Sequence, residues 1–358
     1  MTSDAFTKSL RKRGLYSDFK KDLNKRQQQC RIEREKELDE IRKRKRDGIE
    51  KDRRHRRVLN LCIFPFYNTT SPPSQMGYHF VRASPLGELG VKNVDFLIYN
   101  FSRKRHLAIF GEAKGSIDSP SKVVTQTRER IGIIEDNQDY IKSTYLQLKE
   151  DTEVDFEFVI GIPVEDNLRV CEAIEKDGGG LIPWSAGGLE ENLLSLNIPE
   201  KIEKNIRKTM KHLDSSLNDS LKGMKSHDNC FSLFPESHQV TKLEVIVETS
   251  SDLIVETAEL KKKLYSYLFY LKQDRIDAML QEILSKAREL GIIKRIDAQN
   301  YKLKSVWKKK EKIARDLRSK WVEHSVKKEI SGDLERIEAE VIQEFKEKIE
   351  RQKTLEAY

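Results

Sequence analysis

Cysteine is scarce in this chain. Cys30, Cys62, Cys171 and Cys230 lie far apart, and no two of them form a Cys-x-x-Cys pair. That spacing excludes a zinc ribbon and argues against a disulfide framework, so a reducing intracellular compartment is expected. Long apolar runs are missing as well. There is no stretch of about eighteen apolar residues and no apolar N-terminal segment, so the expectation is a soluble, cytoplasmic chain with no membrane partner. Aromatic residues are 8% and hydrophobic residues 37% of the 358, enough for globular parts but low for one compact body. No internal repeat is found. Asp177-Gly178-Gly179-Gly180 lacks the Lys-Ser/Thr that a phosphate loop needs, so it reads as a flexible turn.

Charge is what the chain has in excess. Charged residues are 35% of the sequence and the net charge is +8. Residues 1–57 hold 21 Lys/Arg against 11 Asp/Glu, which makes that segment +10 and leaves the remainder at −2. A basic arm on a near-neutral body points to a polyanion, nucleic acid first. Gly14 and Gly48 are the only breakers in the arm, and Leu23, Ile32, Leu38 and Ile41 are too sparse for a heptad seam. A long, mobile, charged helix over residues 1–57 is therefore expected. The run Arg42, Lys43, Arg44, Lys45, Arg46, with Arg53, Arg54, Arg56 and Arg57 after it, suits phosphate neutralisation without sequence reading. A solvated helix that only keeps the chain soluble is the plainer alternative.

The stretch Asn93 to Ser116, NVDFLIYNFSRKRHLAIFGEAKGS, carries the chemistry. Val94–Tyr99 and Leu107–Phe110 are β-branched and aromatic runs joined by a mostly polar turn, which reads as a hairpin. Asp95 interrupts the first run; Glu112 and Lys114 end the second. Two apart on one strand, Glu112 and Lys114 share a face, and the hairpin carries Asp95 back beside them. Two carboxylates and an ammonium at the rim of an apolar sheet are costly unless a cation or an anionic substrate offsets them. A surface ion pair between Asp95 and Lys114 is the structural alternative.

Asp95, followed seventeen residues later by Glu112-Ala113-Lys114, resembles the PD-(D/E)xK nuclease core of the restriction-endonuclease-like superfamily. Val94 stands where a proline commonly precedes the aspartate. The resemblance covers approximately residues 58–190 and implies an α/β core, a mixed central sheet flanked by helices, with long charged helical extensions on both sides. It also implies one or two Mg²⁺ (or Mn²⁺) held by Asp95, Glu112 and the Ala113 carbonyl. Lys114 would position a water or neutralise a non-bridging oxygen, and the products would be a 5′-phosphate and a 3′-hydroxyl. Many members add an acid from a helix before the hairpin. No clear amphipathic helix is visible there, and Glu88 is the nearest candidate. Gln126 stands where one branch, resembling the RecB exonucleases, has a glutamine, but Arg130 replaces the tyrosine four residues on. Gln126 and Arg130 sit one turn apart and suit contacts to a substrate backbone.

Around that core, Val58–Phe66 reads as an opening strand, Tyr67–Met76 as a loop, His79–Ala83 as a strand and Ser121–Leu148 as a helix with Ser121 as N-cap. Phe156–Pro163 reads as a strand, Asn167–Lys176 as a helix and Leu181–Trp184 as a strand, with Gly187-Gly188 closing the domain. Residues 191–240 form a connector, with Glu190–Leu221 helical and Lys222–Gln239 irregular. His227, Cys230 and His238 fall short of the four ligands of a closed zinc site.

Over residues 241–305, helices at Asp252–Tyr270 and Gln273–Leu290 followed by two short strands resemble a winged-helix domain. Lys294, Arg295, Lys302 and Lys304 would sit on its wing. A helical interaction module is the alternative. Residues 306–358 read as charged helices broken near Ser331-Gly332. Their stripe of Leu334, Ile337, Val341 and Phe345 needs a partner, either the body of the chain, the N-terminal helix or a second protomer in a homodimer. Three functions stay open at this stage: a metal-dependent DNA nuclease; a DNA-binding regulator or structural protein with an inactive nuclease-like core; and a helical interaction protein. DNA versus RNA, and duplex versus single strand, stay open too.

Overall fold

The computed structural model describes residues 3–67, 70–91, 94–101, 106–187, 192–222, 224 and 238–356. The elements run α1 (Ser3–Lys12), α2 (Tyr16–Glu33), α3 (Glu35–Tyr67), α4 (Pro72–Gln75), β1 (Tyr78–Ala83), β2 (Phe96–Asn100) and β3 (His106–Ala113). They continue with α5 (Pro120–Asp136), α6 (Gln138–Tyr140), β4 (Val154–Pro163), α7 (Asn167–Lys176), β5 (Ile182–Ala186), β6 (Leu194–Leu196) and α8 (Lys204–Leu221). Last come α9 (Gln239–Thr249), β7 (Ile254–Glu256), α10 (Thr257–Tyr267), α11 (Gln273–Glu289), β8 (Ile293–Arg295), β9 (Asn300–Leu303) and α12 (Lys310–Glu356). The chain divides into two compact units, residues 49–315 and residues 1–48 with 316–358.

The larger unit is mixed α/β. Its six-stranded sheet has the order β1-β2-β3-β4-β5-β6. β1, β2 and β3 form an antiparallel meander, β3, β4 and β5 run parallel, and β6 returns antiparallel. Each parallel step is bridged by a helix, α5 and then α7, as such a crossover requires. Alternation along the strands divides the apolar residues between the two faces. Leu97, Tyr99, Ala108, Phe110, Phe158, Ile160 and Ile162 pack with Val123, Val124 and Ile134 of α5 and with Val170 and Ile174 of α7. The opposite face receives the end of α3, where Phe66 stacks on Trp184 with ring centroids 6.2 Å apart.

Several sequence expectations need correction here. Val58–Phe66 is not a strand but the last part of α3. A short run buried all round shows no period, so apolarity alone does not separate strand from helix. Val58, Leu59, Leu61, Cys62, Ile63 and Phe66 are all buried. Part of the expected loop is the single turn α4, capped by the Ser71 hydroxyl, which accepts from the Ser74 N–H at 3.3 Å. α5 starts at Pro120 after Ser119, so Ser121 lies inside the helix, and the helical path then ends in a π-turn at Ile141–Tyr145. The supposed helical connector from residue 190 contains β6, which extends the sheet before α8. Gly188 and Glu190 lie outside the described residues.

Residues 239–303 have the order helix, strand, helix, helix, strand, strand, with a three-stranded antiparallel sheet ordered β7-β9-β8. α9 and β7 have no counterpart in the sequence expectation, and the helix expected over Asp252–Tyr270 is α10, which starts only at Thr257. A buried ionic network ties this module to α3. Arg56, 4% exposed, holds Asp52 at 3.2 Å and Glu244 of α9 at 3.3 Å, and Thr241 donates its hydroxyl to Asp52. Nearby, Lys263 lies 3.4 Å from Glu248.

The smaller unit is helical. Phe6, Leu10, Phe19 and Leu23 pack with Val341, Phe345 and Ile349, and Leu38 and Ile41 pack with Val326 and Ile330. The pairing is antiparallel and is fixed by Arg26, which holds Glu344 bidentately at 2.7 Å, and by Arg34 on Asp333. The C-terminal stripe is therefore covered within the chain, and the N-terminal arm is a packed element instead of a mobile one. α12 runs unbroken through Ser331-Gly332. A mid-helix glycine costs about 1 kcal/mol, and burial of Ile330 and the packing of Leu334 beside it outweigh that.

Two outcomes follow. Burial pushes the Glu248 carboxyl up to about 8, opposed by Lys263. The folded state thus binds a proton that the unfolded state releases, and stability falls as pH rises from the ordinary glutamate range through about 8. Urea titrations of the native chain should show a loss of up to roughly 5 kcal/mol across that window, and Glu248→Gln should flatten it. In the smaller unit, Phe345→Ala should cost about 3–5 kcal/mol, read as a lowered melting temperature of the helical signal.

Candidate functional site

β2 and β3 meet in the register Phe96↔Gly111, which sets Asp95 opposite Glu112 at the end of the pair. The Asp95 N–H donates to the Gly111 carbonyl at 2.8 Å, and the Asp95 Oδ2 accepts the Ala113 N–H at 2.7 Å. Alternation puts Glu112 on the α5 face, where Arg130 of α5 donates to one carboxylate oxygen and Lys114 to the other. The structure thus brings together Asp95, Glu112, Ala113, Lys114 and Arg130. Glu112 is 1% exposed.

Both carboxyls are pushed up by burial. For Glu112 the opposing influences are Lys114 and Arg130; for Asp95 they are His55, the Ala113 N–H, Lys114 and Arg130. Desolvation is the largest cause in each case, as expected where charges are held among apolar walls. His55 lies 4.0 Å from Asp95. It belongs to α3 and was missed in the sequence, because the run after it reads as a strand and detaches the helix from the hairpin. The signal that would have found it is the helical composition from Glu35 into Val58, with no glycine or proline between Gly48 and Pro65.

Three glycines hold these elements close. A Cβ on Gly115 would collide with the His55 backbone, one on Gly111 with the Phe96 ring, and one on Gly161 would lie 2.7 Å from the Cys62 sulfur. The end of α3 therefore rests directly on the sheet at the strand ends that carry the charges.

The other predicted residues are placed elsewhere. Glu88 pairs with Arg82 at 3.2 Å and accepts the Tyr140 hydroxyl at 3.0 Å. Gln126 is half-buried one turn before Arg130. In the basic run, Lys43, Arg44 and Arg46 are exposed, whereas Arg42 is held by Asp39 at 2.7 Å and Glu323 at 3.2 Å. Lys45 lies over the Trp321 ring. Lys294, Arg295, Lys302 and Lys304 are all exposed. Lys294 and Lys302 are direct cross-strand partners, a like-charge pair that destabilises a sheet unless an anion offsets it. His227 and Cys230 lie outside the described residues, and His238 caps α9 by accepting the Val240 N–H at 3.2 Å.

A cavity of about 450 Å³ lined by Cys171, Glu175, Asn197, Lys211 and Asp214 contains none of the predicted site residues. Among the described residues no helix is long and apolar enough to cross a membrane, and no group of three or more His, Cys, Asp or Glu is placed to hold a metal. The acidic set at the sheet end is a pair with a backbone carbonyl beside it. Hard oxygen donors of that kind suit Mg²⁺ or Mn²⁺.

The close approach at Gly115 can be measured. Gly115→Ala should destabilise the fold by about 1–3 kcal/mol through overpacking. Gly132→Ala, inside α5 with open space around it, should instead stabilise by about 0.5–1 kcal/mol; paired urea titrations read both. No family model, curated protein or solved structure matches this chain.

Proposed function

We propose that the chain is a metal-dependent nuclease that hydrolyses phosphodiester bonds in DNA, with a core of the PD-(D/E)xK kind. The observation that carries this reading is the pairing of Asp95 with Glu112 across β2 and β3, with Lys114 on the same face. A buried and a half-buried carboxylate beside an ammonium, at the end of a sheet clamped between α3 and α5, supply acid oxygens and a cation at one point. The element order α3, α4, β1, β2, β3, α5, α6, β4 supports the same reading, since a helix does precede the hairpin.

Asp95, Glu112 and the Ala113 carbonyl would hold Mg²⁺ or Mn²⁺. When bound, such an ion lowers the pKa of a coordinated water and stabilises charge on a phosphoryl oxygen. Lys114 supplies a proton-bearing cation against a non-bridging oxygen. The Ala113 N–H holds Asp95 in place. The region from α9 to β9 has the element order of a winged helix. Its exposed Lys294, Arg295, Lys302 and Lys304, with Lys43, Arg44 and Arg46 of the other unit, are proposed as phosphate contacts. Such a protein would act intracellularly on DNA.

A second reading, a DNA-binding regulator or structural protein with an inactive core, is favoured by one specific observation. Both Glu112 oxygens already accept cations from the chain itself, Lys114 and Arg130.

Cleavage of supercoiled plasmid and of single-stranded DNA with Mg²⁺ or Mn²⁺ tests the two. The native chain should cut, EDTA should stop it, and Asp95→Ala and Lys114→Ala should each lower the rate by about a hundredfold or more. Salt-sensitive DNA binding without cutting would select the second reading. Cutting that survives both substitutions would place the active site elsewhere.

A further inference from the structure

Glu112 has no oxygen without a cation on it. One oxygen accepts Lys114, the other accepts Arg130, and on Asp95 one oxygen is taken by the Ala113 N–H. Asp95 and Glu112 contribute two negative charges, Lys114 and Arg130 two positive ones, so the four sum to zero. Glu112 and Arg130 are withdrawn from water, with side chains 1% and 8% exposed, while Asp95 and Lys114 keep 20% and 23% of theirs exposed. Bringing a divalent cation into this cluster leaves an excess of two positive charges beside a buried pair, which is unfavourable. Arg130 cannot shed its charge to relieve it, because a guanidinium stays charged in proteins. What Arg130 can do is move, or acquire an anion. Its planar fork matches a phosphate as well as it matches a carboxylate. It projects from α5 one turn after the half-buried Gln126, beside the strand end where a phosphodiester would have to lie for Lys114 to reach it.

We propose that Arg130 occupies part of the metal seat in the metal-free chain and passes from Glu112 to a substrate phosphate as the metal binds. This rests on the nuclease reading and assigns Arg130 as a substrate-binding residue. Metal and phosphodiester then reinforce each other, and by linkage the reinforcement is reciprocal: the anion raises affinity for the metal by the factor by which the metal raises affinity for the anion. The chain alone binds metal poorly because its own arginine competes. A nuclease so arranged assembles its metal site only on nucleic acid.

Mn²⁺ binding by the full chain, followed by the loss of the free-ion paramagnetic resonance signal, tests this without reference to cutting. Without nucleic acid, Arg130→Gln should bind Mn²⁺ more tightly than the native chain, on the order of tenfold. Adding a short phosphorothioate duplex, whose linkages resist hydrolysis, should tighten Mn²⁺ binding to the native chain by a similar factor and change Arg130→Gln little. Asp95→Asn with and without duplex supplies the baseline for Mn²⁺ held elsewhere or by the duplex itself. Equal affinity of the native and Arg130→Gln chains, above that baseline, overturns the role of Arg130 while leaving the metal seat standing. A native chain indistinguishable from Asp95→Asn, with and without duplex, rejects the seat and the nuclease reading together. If Arg130→Gln does not fold, the native chain decides alone: an affinity above baseline that the duplex leaves unchanged overturns the proposal.

Discussion

The contact on which the larger unit depends is the seating of the end of α3 directly on the strand ends, through side chains that are absent. Gly115 lies under the backbone at His55 and Gly161 under Cys62 and Val58. A methyl group at either position would lift the helix off the sheet, and the packing density of an interior leaves little slack to absorb it. Because the helix sits that low, His55 reaches Asp95, and Arg56, on the adjacent position of the same helix, reaches Glu244. One segment therefore sets the environment of the charged pair and, through buried ion pairs, holds the α9 module. Removing one partner of such a pair is expensive, since the other is left charged without water.

The part of this architecture with a regular period or a local charge anomaly was legible in the sequence. β2 and β3 announce themselves by β-branched and aromatic runs, and Asp95, Glu112 and Lys114 by being charged inside them. α7 was read with the bounds it has, Asn167–Lys176, because its apolar positions recur at helical spacing between turn residues. Arg130 was visible only as a departure from a motif; its burial against Glu112 depends on where α5 lies on the sheet. Val58–Phe66 was misread because a segment buried on every side carries no alternation. β6 is three residues long and α9 has almost no polar face, so neither leaves a periodic trace. Ser331-Gly332 reads as a break by composition, and tertiary packing overrides a propensity of that size.

Charge is used in three physically different ways. In the smaller unit, long-range Arg–carboxylate pairs such as Arg26–Glu344 fix register on half-exposed helix faces, where each contributes little energy but good geometry. In the Asp52, Arg56 and Glu244 network, burial makes the pairs costly to break. On β8 and β9, Lys294 faces Lys302 with like sign, so there the sheet gives up stability and presents positive charge instead. A count of basic residues does not separate these uses. Arg42 and Lys43 are neighbours in the sequence, yet one is spent inside the fold and the other faces water.

The smaller unit joins residues far apart along the chain: Arg26 and Glu344 are 318 positions from one another. During synthesis at about 5–20 residues per second, the first helices emerge some tens of seconds before the segment that covers them. For that interval Phe6, Leu10, Phe19 and Leu23 lack Val341, Phe345 and Ile349, the C-terminal part of the cluster they bury in. The dense charge of the same helices then has a use that binding does not require. Mutual repulsion and strong hydration keep a waiting apolar edge from meeting its copy on a neighbouring nascent chain. A chain stopped before about residue 340 would keep that edge open, and so would be marked for capture by chaperones or degradation whatever the state of its sheet.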